Sequence, residues 1–375
     1  MRRMTARSSG DLIALDLLRF ACALAVLGYH FAAADVAAPS EHARAALAGL
    51  ALPQAGVRWS WWGWIGVELF FVISGYVIAR SAEGRSAGAF LRRRALRLYP
   101  AAWLCASASL CVLLAAHVAA PEQLAARWAR SMALSPIGRP IDGSYWTLAV
   151  EIPFYLVVAA ALGRRGRAER IEAVGIGLGA LGTAYWLFAA GLDSPDPLAH
   201  MTVQLIRYGP FFALGIAAAA HHARPGNALR RAWMTALTGV AAIEIAAHAA
   251  ERASALRLAA GPGAPLLAFA AGLLVLFAAP ALQPRLRSAR TRSAATLGLS
   301  TYPLYLFHQD GGAALIGAGV RLGIPYGWAA GLVALGLIAL ACRVATTAEP
   351  AVRGALASGF TRAGRPRQNA ISNAA

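Results

Sequence analysis

The chain has 375 residues, 58% of them hydrophobic and 14% charged, with a mean hydropathy of +0.54. A soluble domain carries nearer a quarter charged residues, so this composition excludes an ordinary soluble fold and points to an all-α, polytopic membrane helix bundle. The net charge of +18 rests on 35 arginines with no lysine, and in so apolar a chain basic loops set topology and meet membrane lipids rather than nucleic acid.

Apolar runs predict ten spans, at 12–33, 62–79, 98–118, 145–162, 173–191, 200–220, 232–250, 264–280, 298–318 and 327–347. Ten spans put both termini on one side. Arginine placement favours the cytoplasm for that side: 24 arginines fall in the cytoplasmic segments, 8 in the outer loops and 3 within spans. The basic start MRRMTAR leads into a retained first span, because no small-residue cleavage site follows its apolar part. Residues 1–349 are expected to form one transmembrane domain and 350–375 a disordered cytoplasmic tail. The four cysteines show no CxxC or Cys/His ligand spacing, so neither disulfides nor a metal are expected.

The first span carries Asp16, Arg19 and His30 within LDLLRFACALAVLGYHF. Eleven residues at about 100° each return to within roughly 20° of the start, so Arg19 and His30 share a helix face about 16 Å apart along its axis. Asp16 lies one turn before Arg19. Ionisable groups at membrane depth face a protein interior or a water-filled cavity, so this stripe predicts a polar channel. The loop 34–61 is the longest outer one, with a short surface helix expected around 41–52. Trp59, Trp61, Trp62 and Trp64 then cluster at the outer end of the second span, as an interfacial belt or as a surface for sugar.

In the second span, GWIGVELFFVISGYVIARS, the glycines 63, 66 and 75 permit close helix approach. Its Glu68 is either a helix-pairing polar group or a partner that orients His30. Arg93, Arg94 and Arg97 form RRxxR at the cytoplasmic mouth of the third span, read either as a topogenic cluster or as an anion site of guanidinium forks. Glu151 lies about two turns into the fourth span, followed by Pro153, which removes a backbone donor. In the ninth span His308 sits mid-span with Tyr302 and Tyr305 on neighbouring turns, in a substrate-binding or supporting role. Arg207 and Glu244 read equally as packing groups. His117, His200, His221, His222 and His248 receive no role.

Five segments in order resemble the membrane-bound acyltransferase-3 family, which includes bacterial carbohydrate O-acetyltransferases. They are the Arg19–His30 stretch, GVELFFVISGY (66–76), RRALR (93–97), SYWTLAVEIPFY (144–155) and STYPLYLFH (300–308). The resemblance implies transfer of an acyl group, usually acetyl, from cytoplasmic acetyl-CoA to a hydroxyl of an envelope carbohydrate or lipid-linked sugar. It also implies placement in the inner, cytoplasmic membrane. It makes Arg19 and His30 the matched functional pair and RRxxR the matched cytoplasmic motif. His30 is then the general base or a covalent acyl carrier, with Glu68 or Glu151 fixing its tautomer and Arg19 or a tyrosine stabilising the oxyanion. Ile152 and Pro153 replace a Glu-Gln pair common in the family, so no second carboxylate carries over. No esterase-like domain is seen beyond the tenth span, which leaves direct transfer or a separate partner chain. The competing class is a proton-coupled transporter or flippase, in which the buried charges form a proton relay.

Overall fold

The computed structural model describes residues 13–163, 166–190, 204–286 and 291–363. Every long element in it is a helix, and the described residues contain no strand. In chain order these are α1 (Ile13–Tyr29), α2 (Glu41–Ala46), α3 (Ile65–Ala82), α4 (Ala87–Ala115), α5 (Pro121–Met132), α6 (Trp146–Leu162) and α7 (Ala168–Ala190). They are followed by α8 (Gly209–Ala223), α9 (Ala228–Ala255), α10 (Gly263–Leu286), α11 (Thr291–Phe307), α12 (Asp310–Arg321), α13 (Tyr326–Arg343) and α14 (Glu349–Ala363). Among the described residues, eight helical stretches are long and apolar enough to cross a membrane. The bundle turns large apolar side chains outward. Leu267 and Leu274 on α10, and Trp328, Leu332 and Leu335 on α13, are exposed at spacings that keep each set on one helix face. In water such faces would be a liability; facing lipid they are expected.

Two predicted spans take a different form. The sixth becomes α8, only 15 residues long, with every residue from Gly209 to Ala220 buried. It is a central post surrounded by protein. Gly215 of α8 lies against the backbone of Val72 and Tyr76 on α3, and Gly75 of α3 lies against the backbone of Phe212 on α8. A side chain at either glycine would force the two helices apart. Gly63 and Gly66 make the same kind of approach to the backbones of Ala25 and Cys22 on α1. The ninth predicted span is broken: α11 ends at Phe307, His308 and Gln309 form a turn, and α12 starts at Asp310.

Irregular backbone also interrupts α1. The helix continues past Tyr29 as a π turn over His30–Ala34, in which the Asp35 N–H donates to the His30 carbonyl. Insertions of this kind concentrate at functional sites. The expected surface helix is present as α2, with the Ser40 Oγ accepting from the Ala43 N–H at 3.1 Å as its N-cap. The tryptophan cluster is divided rather than belt-like: Trp61 and Trp64 are buried and only Trp59 stands well out. Residues 350–363, expected in the tail, are helical and belong to α14, which packs on α4; residues 364–375 lie outside the described residues.

The connection from α5 to α6 enters the protein instead of crossing its surface. Ile141, Asp142, Ser144 and Tyr145 are all buried, and the Tyr145 hydroxyl donates to the Ala102 carbonyl, midway along α4. Such a loop is tolerated at membrane depth because its polar groups are paired internally. Asp142 does most of that pairing. Its Oδ1 accepts from the N–H and hydroxyl of Ser144, and its Oδ2 from the N–H groups of Asp310 and Gly311.

Candidate active site

A cavity of about 500 Å³ opens where α1, α3, α4, α6, α11 and α14 meet. Seven of the residues singled out in the sequence line it together: Arg19, Arg93, Arg94, Arg97, Glu151, Tyr302 and Tyr305. The cavity's arginines arrive from three helices, Arg353 of α14 joining those of α1 and α4. Arg19 projects from α1, 3.9 Å from Asp16, whose carboxylate fills the space beside Gly298 of α11. The RRxxR residues line the first third of α4. The Arg94 guanidinium lies 5.7 Å from the Phe90 ring, and its buried Nε has no hydrogen-bond acceptor. Arg97 lies 5.3 Å from the Tyr302 ring and donates to Glu349 Oε1 at 2.8 Å. Glu151 sits in the cavity wall with Ser74 and Tyr155. Guanidinium groups of this density on one concave wall are suited to an anion carrying several phosphate oxygens.

Tyr305 leads from this cavity to a histidine pair. Its ring lines the cavity and lies 5.5 Å from the His308 ring, which meets the His30 ring edge-on at 5.0 Å. His308 Nδ1 is 2.7 Å from the Tyr305 carbonyl. A carbonyl only accepts, so Nδ1 carries the proton and Nε2 presents its lone pair. That Nε2 and the Nδ1 of His30 are both buried and lack a partner. The arrangement offers two imidazole nitrogens to a hydroxyl brought between them. His308 stands at the helix break rather than mid-span, where its ring is freed from a regular turn.

The carboxylates expected beside His30 are committed elsewhere. Glu68 is buried and lies 3.6 Å from His248 of α9, a histidine given no role in the sequence, which also stacks edge-on against Trp64. Glu151 belongs to the arginine cavity. The orienting group for the pair is instead a backbone carbonyl. Arg207 and Glu244 come within 3.9 Å of each other in the packing around α9. Arg252, expected in an outer loop, reaches the Tyr29 hydroxyl at 3.3 Å.

Beyond the histidines lies a second pocket, of about 460 Å³, which the sequence reading missed. Ser40, Glu41, His42, Arg127, Arg139 and Asp310 line it. Asp310 accepts from the Ser40 hydroxyl at 2.5 Å and the Gly143 N–H at 2.6 Å. Arg127 donates to His42 Nε2 at 2.6 Å and to Glu41 at 3.0 Å. Arg127 and Arg139 hold the Glu41 carboxyl below its ordinary pKa. Burial, reinforced by the charge of Asp310, pushes Asp142 up to about 7. Asp35 is fully buried one π turn after His30. Neither of its oxygens has a hydrogen-bond partner, and Asp310 and Asp142 are its charged neighbours. Asp142 just before the SYW block, and Asp310 two residues after His308, were the signals available in the sequence.

The two pockets lie to either side of the helix break at His308. On α11 the lining of the first runs from Gly298 to Tyr305, and Asp310, five residues later, lines the second. The histidine pair stands between them.

No curated protein and no solved structure shows significant similarity to the chain. The acyltransferase domain model of the acyltransferase-3 family matches residues 12–348, a stretch that holds the arginine cavity up to α14, the histidine pair and the second pocket. The chain therefore belongs to the acyltransferase-3 family of membrane acyltransferases.

Proposed function

We propose that this protein is an O-acyltransferase that moves an acyl group, acetyl in the first instance, from cytoplasmic acyl-CoA to a hydroxyl of an envelope or exported carbohydrate. The observation that carries this reading is a five-arginine cavity whose lining residue Tyr305 packs against a histidine pair with two unpartnered imidazole nitrogens. Arg93, Arg94 and Arg97 hold the coenzyme A phosphates at the cytoplasmic end. The pantetheine arm extends past Tyr302 and Tyr305 toward the histidines.

His30 takes the proton of the acceptor hydroxyl, and the resulting oxygen nucleophile attacks the thioester carbonyl. The tetrahedral intermediate collapses by breaking the C–S bond. The departing CoA thiolate then takes the proton from the His30 imidazolium, so the base is restored. His308, held by the Tyr305 carbonyl, orients the hydroxyl. Arg19 is assigned to the donor and not to the oxyanion, because a continuous helix separates it from His30 by about 16 Å. The pocket of His42, Arg127 and Asp310 receives the acceptor from the outer side of the inner membrane.

The test is release and transfer of radiolabelled acetyl from acetyl-CoA by purified protein in nanodiscs. Wild type should release label and His30→Ala should not, with both folded. Label trapped on His30 in the presence of donor alone would replace direct transfer with a covalent acyl-imidazole. Failure of folded wild type to bind or hydrolyse acetyl-CoA would overturn the reading and favour transport by the same buried charges.

A further inference from the structure

The family match ends at residue 348, and the chain closes its arginine cavity with the helix that begins at the next residue. A π turn over Val344–Ala348 joins α13 to α14 and lets the chain continue as one long helical rod past the end of α4. Glu349 opens α14 and is 1% exposed. Its Oε1 accepts from Arg97 Nη1 at 2.8 Å and from Arg353, one helical turn on, while its buried Oε2 has no partner. Arg353 also donates through Nε to the Leu96 carbonyl at 3.1 Å, inside the RRxxR turn, and lines the cavity itself.

We infer that α14 is part of the donor site: Arg353 is a phosphate-binding residue, and Glu349 is an internal anion that competes with the donor's phosphate for Arg97 and Arg353. This rests on the reading of the cavity as an acyl-CoA site. The physical reasons are three. Arg353 shares one carboxylate oxygen with Arg97, so the two guanidinium groups converge on a single anionic position. A buried carboxylate with only one oxygen satisfied is a poor final partner, because the unpaired oxygen retains its desolvation cost. A phosphate offers three oxygens to the same two forks and satisfies both. The site therefore holds its arginines in a binding geometry by means of a ligand that a phosphate can replace.

The experiment is equilibrium binding of coenzyme A, and of adenosine 3′,5′-bisphosphate as the phosphate-only probe, to full-length protein in nanodiscs. Arg353→Ala should weaken both probes about tenfold and Arg353→Lys by less, because a cation remains. Glu349→Gln should tighten both several-fold, and Arg97→Ala should cost more in the Glu349→Gln background than in wild type. The melting temperature of each variant identifies one that fails to fold. Arg353 is partly exposed, so its two variants keep the question decidable if Glu349→Gln unfolds. Unchanged binding in folded Arg353→Ala, or weaker binding in folded Glu349→Gln, would overturn the inference while leaving the donor site standing. Wild type that binds neither probe would remove the donor reading and this inference with it.

Discussion

Arg94 and Arg97 are neighbours on α4 with the same side chain, yet the structure predicts unequal losses when each is removed. Arg94 Nε has no acceptor, so its interaction with a donor phosphate displaces no existing ion pair at that atom. A charge-assisted hydrogen bond of this kind contributes about 1.5–3 kcal/mol. At 1.4 kcal/mol per decade, Arg94→Ala should raise the Kd for coenzyme A about 10- to 150-fold. Arg97 starts from a 2.8 Å bond to Glu349 and must give it up. Its net contribution is the difference between two ion pairs at a site 32% exposed, about 0.5–1 kcal/mol, so Arg97→Ala should cost only about 2- to 5-fold. Isothermal titration in nanodiscs at fixed ionic strength measures both. Equal losses in two folded variants, or a larger loss at Arg97, would refute the reasoning. A change in orientation of the inserted protein without a change in Kd would make the cluster topogenic instead.

Three further outcomes are expected. His308→Phe should keep the fold and the coenzyme A affinity but reduce acetyl transfer at least 100-fold, measured with saturating donor; transfer within threefold of wild type would remove His308 from the site. Gly75→Ala places a methyl against the Phe212 backbone and should lower stability by about 1–3 kcal/mol, read from the melting temperature, whereas Gly239→Ala, which meets open space, should not destabilise. Burial lowers the pKa of His42, with Arg127 acting in the same direction against Asp310. The folded protein then binds fewer protons than the unfolded chain, so this contribution to stability is complete above the ordinary histidine pKa, about 6.5, and is lost as pH falls below it. The melting temperature of wild type should drop more between pH 7 and pH 5 than that of His42→Gln.

The helices were legible because membrane spans write themselves in twenty-residue apolar runs, and the α1 stripe because a 3.6-residue period carries Asp16 and Arg19 to one face. The arginine cavity was legible in part: seven of its lining residues were singled out, but nothing in the sequence says that α1, α4, α6 and α11 converge. The histidine pairing was not legible, since it depends on a helix break at His308 that no glycine or proline at that residue announces. Of the two readings of Glu68, a helix-pairing polar group or a partner of His30, packing favours the first, because it brings His248 of α9 rather than His30 to the carboxylate. Asp35 and Asp142 were passed over as loop residues, and Asp310 received no role within the ninth span. Loops that enter a membrane bundle look like surface loops in composition, and their burial is a tertiary fact. The segment 350–363 read as a tail because its charges lack an amphipathic period; the Glu349–Arg97 ion pair and the Arg353 hydrogen bond to Leu96 tie α14 to α4 and supply the order that local sequence does not.

The loop that carries Tyr145 to the middle of α4 runs from one pocket to the other: Gly143 lines the second pocket and Thr147 the arginine cavity, with Ser144, Tyr145 and Trp146 between them. In the proposed function, where donor and acceptor enter from opposite sides, these residues belong to a low-dielectric septum thinner than the bilayer. A transmembrane voltage falls mainly across such a septum, and a full 100 mV there acts on a unit charge with about 2.3 kcal/mol. In the proposed mechanism, the proton that His30 accepts sits in that layer. In an energised membrane the rate of this protein should therefore depend on voltage, and a protonophore should change it even with donor and acceptor held constant.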